Sequence, residues 1–166
     1  MTPRPETAYI ALGANLSDPV NQIRRGIEAL ASLPQTRLTR ASSLYRTAPV
    51  GVRGQPDFVN AVAAVDTTLA AEVLLAALLA IEAEFGRVRR EGVEPRTLDL
   101  DLLLYGELSG RFAGPPELIV PHPRLHLRAF VLVPLLEIAP TVAIPGRGRA
   151  AAWGPAVAGQ AIERLP

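Results

Sequence analysis

Five consecutive residues, Leu98-Asp99-Leu100-Asp101-Leu102, alternate apolar and acidic side chains without a break. Successive side chains of a strand point to opposite faces, so such a run is satisfied by a strand with one face on a core and the other bearing carboxylates. Extended to Tyr105 and closed by Gly106, it predicts Leu98, Leu100, Leu102 and Leu104 on the buried face. Asp99, Asp101 and Tyr105 fall on the opposite one. The Cα atoms of the two aspartates stand about 6.5–7 Å apart in a regular strand. Neighbouring carboxylates raise one another's pKa, and a divalent ion removes that cost. The chain has no cysteine, so the donors are hard oxygens and Mg²⁺ is preferred to Zn²⁺. Alone, the pair also fits a solvated outer sheet face.

The rest of the chain supplies partners for that strand. Ala8 to Leu12 reads as a buried strand closed by Gly13 and Asn15. Ser17 and Asp18 offer a helix cap before Pro19, with Val20, Ile23, Ile27, Leu30 and Leu33 on one face up to Pro34. Strands are predicted over Arg37 to Tyr45 and Phe58 to Thr67, and a helix over Leu69 to Phe85 with Glu72 in its first turn and Gly86 past its end. The order is the split βαβ pattern of an α+β, ferredoxin-like βαββαβ sandwich. A mostly antiparallel sheet is expected, with helices on one face and the other open to a ligand. Beyond it come extra C-terminal elements: Leu118 to Val120, then short helical stretches over Leu125 to Val133 and Leu135 to Ile138. No linker or repeat divides residues 1–166, read as one domain; the segment from Pro145 onward carries little signal.

Composition narrows the chemistry. A net charge of +1 gives no global field for nucleic acid or an anionic membrane. The longest apolar run, Val73 to Ile81, is far short of the roughly 20 residues of a membrane span. The polar, proline-containing Met1 to Glu6 does not resemble a signal peptide, so a cytoplasmic protein is expected. All 17 cationic side chains are arginine. A lysine-dependent phosphate loop and Schiff-base chemistry are thereby excluded, and phosphates must be met by guanidinium groups, backbone amides or metal.

Two connections are long and rich in turn residues, Thr47 to Pro56 and Gly86 to Pro95, and read as candidate lids. The second opens with Arg87, Arg89 and Arg90, and Arg96 follows three residues before Asp99. Cations and carboxylates thus converge on one sheet edge, as a triphosphate with its metal requires, although such arginines also suit a solvated loop. Phe58 and Asn60 share a face, an aromatic plane beside an amide that donates and accepts, which can hold a flat heterocycle. Core packing is the ordinary alternative for them and for Phe130. His122 and His126 lack the glutamate of a zinc-binding H-E-x-x-H helix.

These residues sit in longer segments: Tyr9-Ile-Ala-Leu-Gly-Ala-Asn15, Ser43-Leu-Tyr-Arg-Thr47, Gln55-Pro-Asp-Phe-Val-Asn60, Gly86-Arg-Val-Arg89, Pro95-Arg-Thr-Leu-Asp-Leu-Asp101 and Val120-Pro-His122. In this order they resemble the 6-hydroxymethyl-7,8-dihydropterin pyrophosphokinases of folate biosynthesis, from about Tyr9 to Pro140. The resemblance implies transfer of pyrophosphate from ATP to the hydroxymethyl group of a reduced pterin, with release of AMP. Asp99 and Asp101 would bind two Mg²⁺ ions, and Arg87 and Arg96 would stabilise charge during transfer. Phe58 and Phe130 would sandwich the pterin, with Asn60 and backbone groups near Thr47 and Val50 reading its hydrogen-bonding edge. Leu75, Glu82, Arg89, His122 and Arg128 would serve ATP. Small-molecule substrates, no nucleic acid, no membrane and a monomer or weak homo-oligomer are expected. The alternative is a non-catalytic ferredoxin-like module that binds nucleotide or RNA, which would want several exposed aromatics where this chain has 5% in all.

Overall fold

The computed structural model describes residues 4–16, 18–48, 56–86 and 98–166. The chain runs β1 (Glu6–Ala14), α1 (Pro19–Ala31), β2 (Thr36–Ala41), β3 (Tyr45–Thr47), β4 (Phe58–Thr67), α2 (Ala71–Phe85) and β5 (Asp99–Tyr105). It continues through β6 (Gly110–Phe112), β7 (Leu118–Val120), α3 (Ala129–Ile138), β8 (Ala143–Ile144), β9 (Gly148–Arg149), α4 (Gly154–Val157) and β10 (Glu163–Arg164). Strand order in the main sheet is β10-β3-β4-β1-β5, with β2 also on β4, and every one of these pairings is antiparallel. The expected ferredoxin-like α+β architecture is present.

Local chemistry explains the first helix. Asp18 caps α1, its Oδ1 accepting the Asn21 N–H at 3.4 Å, and Pro19 sits in the first turn, where its missing N–H costs nothing. Ile23 and Leu30 of α1 and Leu74, Leu78 and Ile81 of α2 pack on the face carrying Ile10, Leu12, Leu98, Leu100 and Leu102. Gly26 lets α1 approach closely: a Cβ there would meet Leu98 Cδ2 at 2.9 Å. No helix among the described residues is long and apolar enough to cross a membrane.

Four expectations are corrected. The strand predicted over Arg37 to Tyr45 is two strands, both paired to β4. At the break, Ser42 Oγ accepts the Val62 N–H at 2.9 Å and Ser42 N–H donates to the Val62 carbonyl at 2.8 Å, so the edge turns without stranding a backbone group. In β5 the register shifts: Leu102 opposes Ile10 and Leu104 opposes Tyr9, leaving Leu103 as the extra residue of a β-bulge. A bulge reverses parity beyond it. Leu104 therefore lies on the aspartate face, and Tyr105 turns to the helix side, where its hydroxyl donates to the Leu69 carbonyl.

The third correction concerns the face expected to be open. Ala11, Val62, Ala64, Leu103 and Leu104 form a second core with Leu132 and Leu135 of α3, so that face is covered over much of its area. Fourth, the helical break falls at Arg128, between a 3₁₀ turn (Leu125–Leu127) and α3, rather than at Pro134. Pro134 lies inside α3, where its absent N–H forgoes only the bond to the Phe130 carbonyl while apolar packing on the sheet holds the helix.

Candidate functional site

The part of the second face that α3 leaves open is a cavity of about 830 Å³. Registers fix its floor. Asn60 of β4 and Asp99 of β5 both stand opposite Gly13 of the intervening β1, and Asp101 stands opposite Ala11. Directly opposed residues share a face, so one row runs Asn60-Gly13-Asp99 across three strands. The small residues on β1 leave space between the amide and the carboxylates. A Cβ on Gly13 would come within 3.2 Å of Asn60 Oδ1.

One wall is polar and aromatic. Asn60, buried, donates from Nδ2 to Thr47 Oγ1 at 2.8 Å, and Phe58 stands opposite Thr47. The facing wall carries Arg128 and Phe130, with the Arg128 guanidinium 5.4 Å from the Phe130 ring centroid. Asp99 and Asp101 close the far end, both exposed and on the edge strand β5. Thr47, Phe58, Asn60, Phe130, Arg128, Asp99 and Asp101, scattered over more than 80 residues of sequence, thus line one cavity.

Other predicted site residues lie outside that wall. Glu82, buried on α2, accepts the Leu100 N–H at 2.7 Å and so satisfies the free edge of β5 between the two aspartates. Leu75 is half-buried against the core on the α1–α2 side. His122 lines a second cavity of about 420 Å³ with Ser109, Ile119 and Arg147. Burial and the nearby Arg128 and Arg124 hold its pKa below the usual value, against the opposing pull of Asp101. Arg87, Arg89, Arg96 and Val50, with the centres of both candidate lids, lie outside the described residues.

Among the lining residues that the sequence reading did not assign to the site are Gly13, Gln160 and Ala161. A glycine inside a strand signals close approach of a neighbour, so Gly13 could have been found. The other two belong to the Ala-, Gly- and Arg-rich tail, which carries no motif. That tail folds back: β10 pairs with β3, and Leu165 N–H donates to the Leu44 carbonyl at 2.9 Å. Behind the cavity, Glu137 of α3 accepts the Tyr45 hydroxyl at 2.5 Å, the Ser43 N–H at 3.0 Å and the Ser43 hydroxyl at 2.9 Å. Burial opposes ionisation of Glu137, but these bonds and Arg164 outweigh it and lower its pKa. Tyr45, buried and hydrogen-bonded to that carboxylate, is pushed up to about 12.

Residues 9–140 match the family 7,8-dihydro-6-hydroxymethylpterin-pyrophosphokinase (HPPK). The chain belongs to the HPPK family. A Pseudomonas aeruginosa 2-amino-4-hydroxy-6-hydroxymethyldihydropteridine pyrophosphokinase is 47% identical over 161 residues, 97% of this chain and 98% of its own length. A Haemophilus influenzae relative of the same name is 47% identical over 139 residues, 84% of this chain and 85% of its own. The fold of a Plasmodium falciparum HPPK-DHPS crystal structure superposes with a TM-score of 0.73 over 91% of this chain, at 12% identity. This chain spans 45% of the length of that solved chain, so the likeness bears on the HPPK fold alone.

Proposed function

We infer that this chain transfers pyrophosphate from ATP to the hydroxymethyl group of 6-hydroxymethyl-7,8-dihydropterin, releasing AMP, in folate biosynthesis. Family membership supports the reaction, and one structural observation supports its location: the Asn60-Gly13-Asp99 row sets a heterocycle-sized polar and aromatic wall beside a carboxylate pair. The cavity volume lies within the range of ligand sites, about 300–1,000 Å³.

Phe58 and Phe130 provide aromatic surfaces for the pterin ring, and Asn60 with Thr47 reads its edge. The hydroxymethyl oxygen then points along the floor over Gly13 toward the aspartates. Transfer of this type asks a protein for positioning and charge neutralisation, and the substrate hydroxyl is itself the nucleophile at the β-phosphorus. Asp99 and Asp101 suit Mg²⁺: both are hard, exposed oxygen donors on a cavity wall, and the ion typically takes one or two carboxylates with phosphate oxygens and water. We assign them two such ions. When bound, Mg²⁺ orients the phosphates and offsets their charge. Arg87 and Arg96 are assigned to the transferring group. Arg89, Arg128, His122, Glu82 and Leu75 are assigned to ATP, with Arg128 reaching the cavity directly.

We further propose that residues 1–166 act as one domain, in the cytoplasm, as a monomer or weak homo-oligomer. The non-catalytic nucleotide- or RNA-binding alternative is not favoured, because the family match and the named relatives support pyrophosphoryl transfer. AMP release from ATP with the reduced pterin and Mg²⁺ tests the reading; a folded sample that forms no AMP would refute it. Arg96→Ala should slow turnover and spare pterin binding.

A further inference from the structure

We propose that Gln160, in the C-terminal tail, is the positioning residue that fixes the Arg128–Phe130 wall of the cavity and thereby sets affinity for the pterin ring. The inference rests on assigning this cavity to the pterin.

The chain breaks at Arg128, between the 3₁₀ turn and α3, with φ −125° and ψ 118°. A helix start leaves backbone N–H groups unpaired, and Arg128, at the cap position, makes no side-chain capping bond. Gln160 supplies what is missing from 31 residues away. Its Oε1 accepts the Ala129 N–H at 2.8 Å, and its Nε2 donates to the Leu127 carbonyl at 2.9 Å. One planar amide therefore grips the backbone on both sides of Arg128. The next residue after Ala129 is Phe130, whose ring lines the cavity beneath the Arg128 guanidinium.

The tail is anchored for this task. Gln160 N–H donates to the Val157 carbonyl at 3.0 Å, Val157 is buried in the second core, and β10 follows at once on the edge of the main sheet. Gln160 itself is exposed, so its two bonds add little to global stability. Their effect is local, on the orientation of two side chains that face the ligand. The family match ends at residue 140, so this tie comes from chain beyond it.

Gln160→Met keeps length and removes both bonds. In the full chain it should raise the KM for the reduced pterin about tenfold, with kcat and the KM for ATP within about twofold, the size expected for a pair of neutral hydrogen bonds. Gln160→Glu keeps an acceptor for Ala129 but faces the Leu127 carbonyl with a carboxylate, and its pterin KM should fall between wild type and Gln160→Met. Amide hydrogen exchange over residues 125–131 of the free protein should quicken in Gln160→Met. Unchanged exchange with unchanged pterin KM overturns the proposal, as does an equal rise in both KM values. Faster exchange with unchanged pterin KM also overturns it, and locates the failure in the pterin assignment rather than in the clamp.

Discussion

Asn60 donates its side-chain amide to the hydroxyl of Thr47 at 2.8 Å, and both residues are buried in the cavity wall. The bond fixes which way the amide faces, leaving its carbonyl oxygen toward Gly13. Thr47→Val preserves shape and deletes the acceptor. An unpaired buried N–H costs about 1–3 kcal/mol, which denaturant unfolding should register. The freed amide can also rotate, so the KM for the pterin should rise several-fold while that for ATP stays near wild type.

Gly13 makes the complementary case, in which space rather than a bond is lost. A Cβ would lie 3.2 Å from Asn60 Oδ1, a contact the amide relieves only by shifting a few tenths of an ångström. Gly13→Ala should leave the melting temperature within a few degrees and raise the pterin KM. Gly13→Val, with branches over the floor between Asn60 and Asp99, should abolish pterin binding in calorimetry while the circular dichroism spectrum is kept.

These two residues also mark how far sequence reading reaches. The Leu-Asp alternation gave the faces of Asp99 and Asp101 because period-two patterning is local and unambiguous there. It misplaced Leu104 and Tyr105, since the bulge at Leu103 is imposed by pairing with Tyr9 and Ile10 and leaves no mark in β5 itself. Phe58 and Asn60 were legible as a pair on one face, and β4 has the bounds expected. The covering of the second face by α3 was not, because an apolar helix does not name the sheet face it will bury. Gln160 was least legible: an exposed glutamine has no periodicity, and its role exists only once the tail has folded back.

The carboxylate pair should be the least tolerant point of the site. Asp99→Asn and Asp101→Asn keep the strand and the side-chain volume and remove the charge that a divalent ion requires. Each should lower kcat at least a hundredfold at fixed Mg²⁺. Pterin binding measured without nucleotide should change little, because Phe58, Asn60 and Phe130 lie on the other walls. A turnover loss matched by an equal loss of pterin affinity would show that the aspartates hold the ring rather than the phosphates.

The Tyr45–Glu137 bond ties α3 to β3 behind the cavity and makes two opposite pH dependences of stability. Glu137 is half-buried, which disfavours its charge, yet donation from Tyr45 and Ser43 and the nearby Arg164 hold its pKa below the usual carboxylate value. A depressed folded pKa gives stability that is present above the unfolded value and lost as pH falls through the folded one. Tyr45 behaves conversely. Burial first, then the bond to Glu137, pushes it up from 10 to about 12, so its contribution is complete below pH 10 and lost as pH climbs from there toward 12. Tyr45→Phe should therefore cost about 1.5–3 kcal/mol at neutral pH, the range for a hydrogen bond to a charged group. It should also flatten the alkaline limb of the stability curve, while the acid limb persists in part because the Ser43 bonds to Glu137 remain. Denaturant midpoints of wild type and Tyr45→Phe, taken from pH 3 to 11, give both limbs; an alkaline limb unchanged by the substitution would assign that loss of stability to another group.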